Sequence, residues 1–337
     1  QSKGGGEVSP KGRTRTSVPE NSLPGRFRFA FASCQHYESG LFTCYQHMLR
    51  EDLDLVVHLG DYIYEGAGRD NQVRRHVGPE LVTLEHYRNR HAQYKTDPAL
   101  QAMHAAAPWL VTWDDHEVDN NYAAEISEQG KVSAEELLKR RAAAYQAYYE
   151  HMPLRRRSLP QGPDMEIYRR VPFGRLVDFH VLDTRQYRTD QPCGDGRRFP
   201  CDEAMNPKAS LLGERQREWL LQGLGETKSR WNVLAQQVMM APVDRTAGPE
   251  ETQSMDQWPG YEMERRALLK FFRDKKVPNP VVLTGDIHTN WANELLAGPD
   301  LDAAPVAAEF VGTSITSSGD GRQAPATLDK LLSENPF

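Results

Sequence analysis

The apolar positions of this chain fall into short runs with two different spacings. Residues 27–33 (FRFAFAS) are aromatic-rich and strand-like. Residues 53–59 (LDLVVHL) and 109–113 (WLVTW) are compact and mostly apolar, as strands covered on both faces are. Residues 167–170 and 175–182 flank Pro172-Phe173-Gly174 and predict a hairpin. Residues 231–236, 281–283 and 307–311 read as further strands. Helical spacing appears at 41–49, within 83–106, and at 135–149, 211–224 and 261–272. Strands alternating with helices predict an α/β fold with its sheet buried between helical layers. In such folds ligands gather beyond the carboxyl ends of the strands. No internal repeat or long low-complexity tract interrupts the pattern.

Composition narrows the function without choosing it. The 337 residues suit one large α/β domain or two smaller ones. Lysine plus arginine total 41 against 47 acids, a formal charge of -6, which argues against a non-specific nucleic-acid binder. Phosphate substrates stay open, because bound cations can invert a local field. No apolar run is long enough to span a bilayer. The first 24 residues are rich in Gly, Ser, Pro and Arg and lack the apolar core of a secretory signal, although a removed leader stays open. Four cysteines are too few for a disulfide scaffold. Cys193 and Cys201 share a Pro/Gly/Asp-rich loop and could pair. Cysteine usage alone leaves the compartment open.

The candidate chemistry sits just after the strands. Gly60-Asp61-Tyr62-Ile63-Tyr64-Glu65 follows LDLVVHL. A carboxylate leaving a buried strand there can bridge two cations, or simply cap a turn. Residues 112–121 (TWDDHEVDNN) place four acids, one histidine and two amides in one loop. So much negative charge between Trp109, Trp113 and Tyr122 calls for cationic compensation. Gly285-Asp286-Ile287-His288 follows the 281–283 strand; His288 reads as a metal ligand or as a hydrogen-bonded core histidine. Cys34 ends the first strand and reads as a thiolate ligand, a small buried hydrophobe, or a disulfide partner of Cys44. Taken together, such loops meeting at one sheet edge describe a multinuclear metal centre that clamps a phosphoryl group.

The longer motifs resemble one family. Phe31-Ala32-Ser33-Cys34-Gln35, Val57-His58-Leu59-Gly60-Asp61-Tyr62-Ile63-Tyr64-Glu65, Trp113-Asp114-Asp115-His116-Glu117 and Leu283-Thr284-Gly285-Asp286-Ile287-His288 resemble the PhoD-type alkaline phosphatases, a branch of the calcineurin-like metallophosphoesterases. Leu182-Asp183-Thr184-Arg185-Gln186-Tyr187-Arg188 and Ala235-Gln236-Gln237 fit the same pattern. The resemblance implies two central β-sheets flanked by helices, and in-line attack on phosphorus by a metal-bound hydroxide at a centre of Fe(3+) and Ca(2+). It implies that Cys34, Asp61, Tyr64 and His288 hold the iron. Asp61, Asp115, Asn121 and Asp286 then serve calcium, with Asn120 the alternative to Asn121. Gln236 and Gln237 stand where a zinc-type second site would add histidine, which favours a hard, oxygen-bound cation. The catalytic candidates are Asp61, Asp115, His116, Arg141 and Arg185. His116 assists the reaction or orients its loop. Arg141 and Arg185 bind the substrate's phosphate oxygens or form structural ion pairs.

The resemblance also implies that residues 1–25 are the remnant of an N-terminal β-sandwich domain or a linker, with 7–16 similar to its last residues. Residues 26–337 are then the catalytic domain, lacking its C-terminal strands. The expected protein is a monomeric, extracellular or periplasmic phosphomonoesterase acting on small phosphate esters. The competing activity at the same site is phosphodiesterase or phospholipase D-like cleavage of phospholipid headgroups. A purely metal-binding module and a serine hydrolase rank lower, and no G-x-S-x-G elbow is present.

Overall fold

The computed structural model describes residues 3–4, 7–8, 11–244, 250–298 and 304–319, with isolated positions 329, 333 and 335. Nine strands carry the architecture: β1 (Phe29–Ala32), β2 (Leu55–His58), β3 (Trp109–Val111), β4 (Arg169–Phe173), β5 (Val177–Val181), β6 (Trp231–Ala235), β7 (Pro280–Thr284), β8 (Trp291–Leu295) and β9 (Ala307–Val311). The principal helices are α1 (Thr43–Met48), α2 (Leu84–Tyr94), α3 (Pro98–Ala106), α4 (Ala134–His151), α5 (Gly213–Glu226) and α6 (Glu262–Lys275). Local signals set their ends. Ser133 and Glu136 close a capping box at the start of α4, and Asp97 caps α3 ahead of Pro98.

β1, β2 and β3 form a three-stranded parallel sheet. The second sheet has six strands in the order β8-β9-β7-β6-β5-β4. Its inner four strands are parallel, while β8 and β4 are antiparallel edges. Alternation along each strand determines what each face meets. Val57 and Leu110 point between the sheets, against Phe179, Val181, Val233 and Leu283. Val56, Trp109 and Val111 point outward onto Tyr87 of α2, Leu100 of α3 and Tyr145 of α4. Leu234 and Val282 point the other way, onto Leu220 of α5 and Leu269 and Phe272 of α6. The result is a helix–sheet–sheet–helix sandwich, the two-sheet architecture that the motifs implied.

β8 escapes the sequence pattern. It reads Trp-Ala-Asn-Glu-Leu, and its buried Asn293 donates its side-chain N–H to Glu309 of β9 at 3.1 Å. Cys193 and Cys201 form a disulfide, whereas Cys34 and Cys44 are free thiols, so the Cys34–Cys44 pairing is excluded. Among the described residues, no helix is long and apolar enough to cross a membrane.

Candidate metal centre

Every parallel strand delivers its following loop to the same end of the sandwich. β1 leads into Cys34, β2 into Asp61 and Tyr64, β3 into Asp115 and His116, and β7 into Asp286 and His288. The chain turns sharply at these points. Cys34, Asp61, Asn121, Asp286 and His288 all have φ between 49° and 63°, a region that non-glycine residues rarely occupy. Such strain costs roughly 1–3 kcal/mol per residue and persists where the surroundings over-determine it. Gly60 makes the approach of two loops possible. Its φ is +113°, and a Cβ there would lie 2.4 Å from that of Asp114.

Glu117 knots these loops together. Its carboxylate accepts the backbone N–H groups of Asp61 at 3.0 Å, Tyr62, and Asp114 at 2.7 Å. Cys34 N–H donates to Gly60 O at 3.1 Å and Gln35 N–H to Asp61 O at 3.0 Å. The ends of β1, β2 and β3 are thereby one rigid unit.

Two overlapping donor clusters result. The candidate ligand atoms of Cys34, Asp61 and His288 lie within 4.8 Å of one another, and so do those of Asp61, Asp115 and His116. Asp61 belongs to both, the position of a bridging carboxylate. The Tyr64 hydroxyl donates to Asp61 Oδ2 at 2.8 Å and meets Ser317 Oγ at 2.6 Å. Ser317 also donates to Cys34 O at 2.8 Å. His288 Nδ1 donates to Ser318 O at 2.7 Å, which leaves Nε2 with the lone pair a metal needs. His116 Nδ1 meets Glu65 Oε2 at 2.7 Å, and its ring packs on Tyr64 with centroids 4.2 Å apart. Asp286 Oδ2 accepts from Gln257 Nε2 at 3.1 Å. Asn121 sits at the rim, its N–H on Asp115 Oδ2 at 2.8 Å and its Nδ2 on Asp195 Oδ2 at 3.3 Å. Asn120 gives its backbone N–H to Glu65 Oε1 at 3.0 Å.

The donor set fits metal ions. Asp61 Oδ1 and Asp115 Oδ1 are buried without a hydrogen-bond partner, which is costly unless a cation faces them. Burial, reinforced by Asp115 and Glu117, pushes the Asp61 carboxyl well above its ordinary range despite the opposing His116. Burial and the Asp61 charge likewise raise the Cys34 thiol. Burial and Asp256 raise Asp286. Asp115 goes the other way: burial raises it, but Arg185 and His116 outweigh burial and hold it low. Several buried acids and a thiol at one point are an arrangement that multivalent cations relieve.

Four residues singled out from the sequence bond to protein groups. Arg141 donates to Pro163 O and Ala124 O at 2.8 Å each and to Asp164 Oδ1 at 3.2 Å, so its fork is spent on loop anchoring. Arg185 is fully buried under the centre, bonded to Asp114 and to Asp256 at 2.8 Å, and lies 3.7 Å from Asp115. It holds the acidic loops through Nε and Nη1, while its Nη2 has no hydrogen-bond partner. Gln237 spans both sheets, donating to Thr112 Oγ1 at 2.8 Å, Trp113 O at 2.7 Å and Leu182 O at 2.9 Å. Gln236 donates to Thr284 Oγ1 at 2.6 Å and accepts from Trp258 Nε1 at 3.1 Å. Neither amide is free to bind a cation. Conversely, the roles of Glu65, Glu117, Asp256, Gln257 and Ser317 were not assigned from sequence. Glu65 and Glu117 stand inside the recognised motifs, but nothing local marks Ser317 or Gln257.

The PhoD-like phosphatase model matches residues 29–336. Alkaline phosphatase D of Bacillus subtilis is 51% identical over 340 residues, covering 99% of this chain and 58% of that protein. A solved structure described as PhoD superposes with a TM-score of 0.94 at 51% identity, covering 98% of this chain and 65% of that one. The chain thus spans somewhat over half the length of the curated relative it matches. The chain belongs to the PhoD-like phosphatase family.

Proposed function

We propose that the protein is an alkaline phosphatase that hydrolyses phosphoric monoesters at the centre built on Asp61. The observation that carries this reading is that Asp61 is shared by two donor clusters while Asp61 Oδ1 and Asp115 Oδ1 are buried without a hydrogen bond. The 51%-identical relative bears the name alkaline phosphatase D, which supports the same reading. Cys34, Asp61, Tyr64 and His288 would hold Fe(3+), since thiolate and phenolate are anionic, strongly donating ligands. Asp61, Asp115, Asn121 and Asp286 would hold Ca(2+), which takes carboxylate and amide oxygens. When bound, the cations supply Lewis acidity toward the phosphoryl oxygens and lower the pKa of coordinated water.

The chain's own residues do the rest. Glu117 and the strained turns fix the donors before substrate arrives, so little reorganisation is left for the reaction. Glu65 holds the His116 imidazole beside the centre, where it can carry a proton for the leaving group. Arg185 keeps Asp114 and Asp115 in place from below. The Cys193–Cys201 bridge supports an extracellular or periplasmic location, where disulfides persist.

The test is steady-state hydrolysis of a chromogenic monoester and the matching diester, with iron and calcium present. A higher kcat/KM for the monoester is expected; a preference for the diester would replace this reading with the phosphodiesterase one. A visible tyrosinate–iron band that disappears in Tyr64→Phe is the second expected result. Colourless, zinc-loaded, active protein would refute the ligand assignment.

A further inference from the structure

Away from the metal centre, a cavity of about 690 Å³ opens where the free edges of the two sheets meet. Its walls come from the starts of β2 and β3, from edge strand β4, from the 13–20 segment and from the turn after α4. Five arginines line it: Arg13, Arg155, Arg157, Arg169 and Arg170. Glu20 is the one carboxylate among its lining residues. In a chain of net charge -6, that concentration of positive charge is unexpected.

The ion pairs do not balance it. Arg13 pairs with Asp52 at 3.0 Å, and Arg170 pairs with Asp178. Arg155, Arg157 and Arg169 meet no carboxylate among the described residues. Arg169 is only 8% exposed. It donates to Ile167 O at 2.7 Å and to Val111 O at 2.8 Å, so one guanidinium satisfies the outer side of β3 from β4 across the gap between the sheets. That explains its position but leaves its charge uncompensated. Burial pushes Arg169 down to about 10; Tyr148 opposes the shift and neighbouring Arg157 adds to it. The β3 side of the cavity is lined by His104, Pro108, Trp109 and Leu110. His104 stacks on the buried Trp109 with centroids 3.9 Å apart at 13°.

From the three uncompensated arginines and the adjoining lining of Pro108, Trp109 and Leu110, we infer a second ligand site that takes an organic phosphate-type dianion. The anionic group sits against the exposed guanidinium forks of Arg155 and Arg157, which match the oxygens of a tetrahedral anion, with the buried charge of Arg169 behind them. Its ring or hydrocarbon body lies on the Trp109–His104 side. Arg155 and Arg157 are exposed and without ion-pair partners among the described residues, so they can be removed without unpairing anything.

The experiment is calorimetric titration of the metal-loaded protein with phenylphosphonate, whose carbon–phosphorus bond resists hydrolysis. Two binding events are expected, one at the metal centre and one here. In Arg155→Ala/Arg157→Ala the second event weakens on the order of tenfold to a hundredfold, from the usual worth of charged hydrogen bonds. Hydrolysis of a chromogenic monoester by that variant stays at the wild-type rate. Arg157→Glu weakens the second event more than Arg157→Ala does, and added salt weakens it in the parent protein. Inorganic phosphate binds there less tightly than phenylphosphonate. A single binding event, a second event unchanged in the double variant, or equal affinity for inorganic phosphate would overturn the inference.

Discussion

The ends of β2 and β3 on one sheet and of β5 and β6 on the other bear polar residues at the same edge of the sandwich, yet they differ in what is left over. After β2 and β3, Asp61 and Asp115 each retain a buried oxygen with no hydrogen bond. After β5 and β6, Asp183 accepts from Arg185 N–H and Gln186 N–H at 2.9 Å each, and Gln237 is bonded to both sheets. The turns at Cys34 and Asp61 are left-handed, while residues 182–186 and 236–237 show no positive φ. At this edge the carboxylates after β2 and β3 keep buried oxygens without hydrogen bonds, whereas Asp183 and Gln237 have theirs satisfied on relaxed backbone; Arg185 Nη2, also without a hydrogen bond, faces Asp115 at 3.7 Å. β7 is the exception on the larger sheet: Asp286 and His288 are both left-handed, His288 joins the Cys34–Asp61 cluster, and the Asp286 charge bears on Cys34.

That contrast can be broken in four ways, beginning with the largest effect. Asp61→Ala should lower kcat by on the order of a thousandfold or more, about 4 kcal/mol of lost transition-state stabilisation. Metal analysis of the purified variant should show depleted iron and calcium. A fully active variant would remove Asp61 from the centre. Exhaustive chelation should abolish activity and lower the Tm, because ions bound tightly to the folded state alone contribute roughly 3–4 kcal/mol by mass action. An unchanged Tm would mean that the orphaned oxygens are not relieved by metal.

Gln237→Leu tests the scaffold side. It removes a group that donates to Thr112, Trp113 and Leu182 and accepts from Thr184, leaving buried carbonyls unpaired. Chemical denaturation should show a loss of roughly 2–4 kcal/mol, with metal content unchanged. Loss of metal without loss of stability would reverse the assignment. The smallest effect is expected at Arg141→Ala. Its partners are loop carbonyls and Asp164, so kcat should stay within about twofold while stability falls by roughly 1–3 kcal/mol. A large rise in KM there would restore Arg141 as a substrate ligand.

The chain's own order already carried most of the elements. The runs at 53–59 and 109–113 and the helical spacing at 135–149 appear as β2, β3 and α4, because each depends on neighbours a few residues away. The same holds for the chemical types at the strand ends: a Gly-Asp step after a buried strand places a carboxylate at the sheet edge whatever packs around it. Tertiary packing decided which of those groups stay free. Gln237 reaches Thr112 across 125 positions and Arg185 reaches Asp256 across 71, and no local pattern encodes either contact. Those distant partners engage two residues that the sequence alone offers as site groups. Ser317 joins the centre only because the loop after β9 folds back onto Cys34, 283 positions earlier. Sequence determined which atoms could bind a metal; burial and hydrogen-bond saturation, which depend on the whole fold, determined which of them still can.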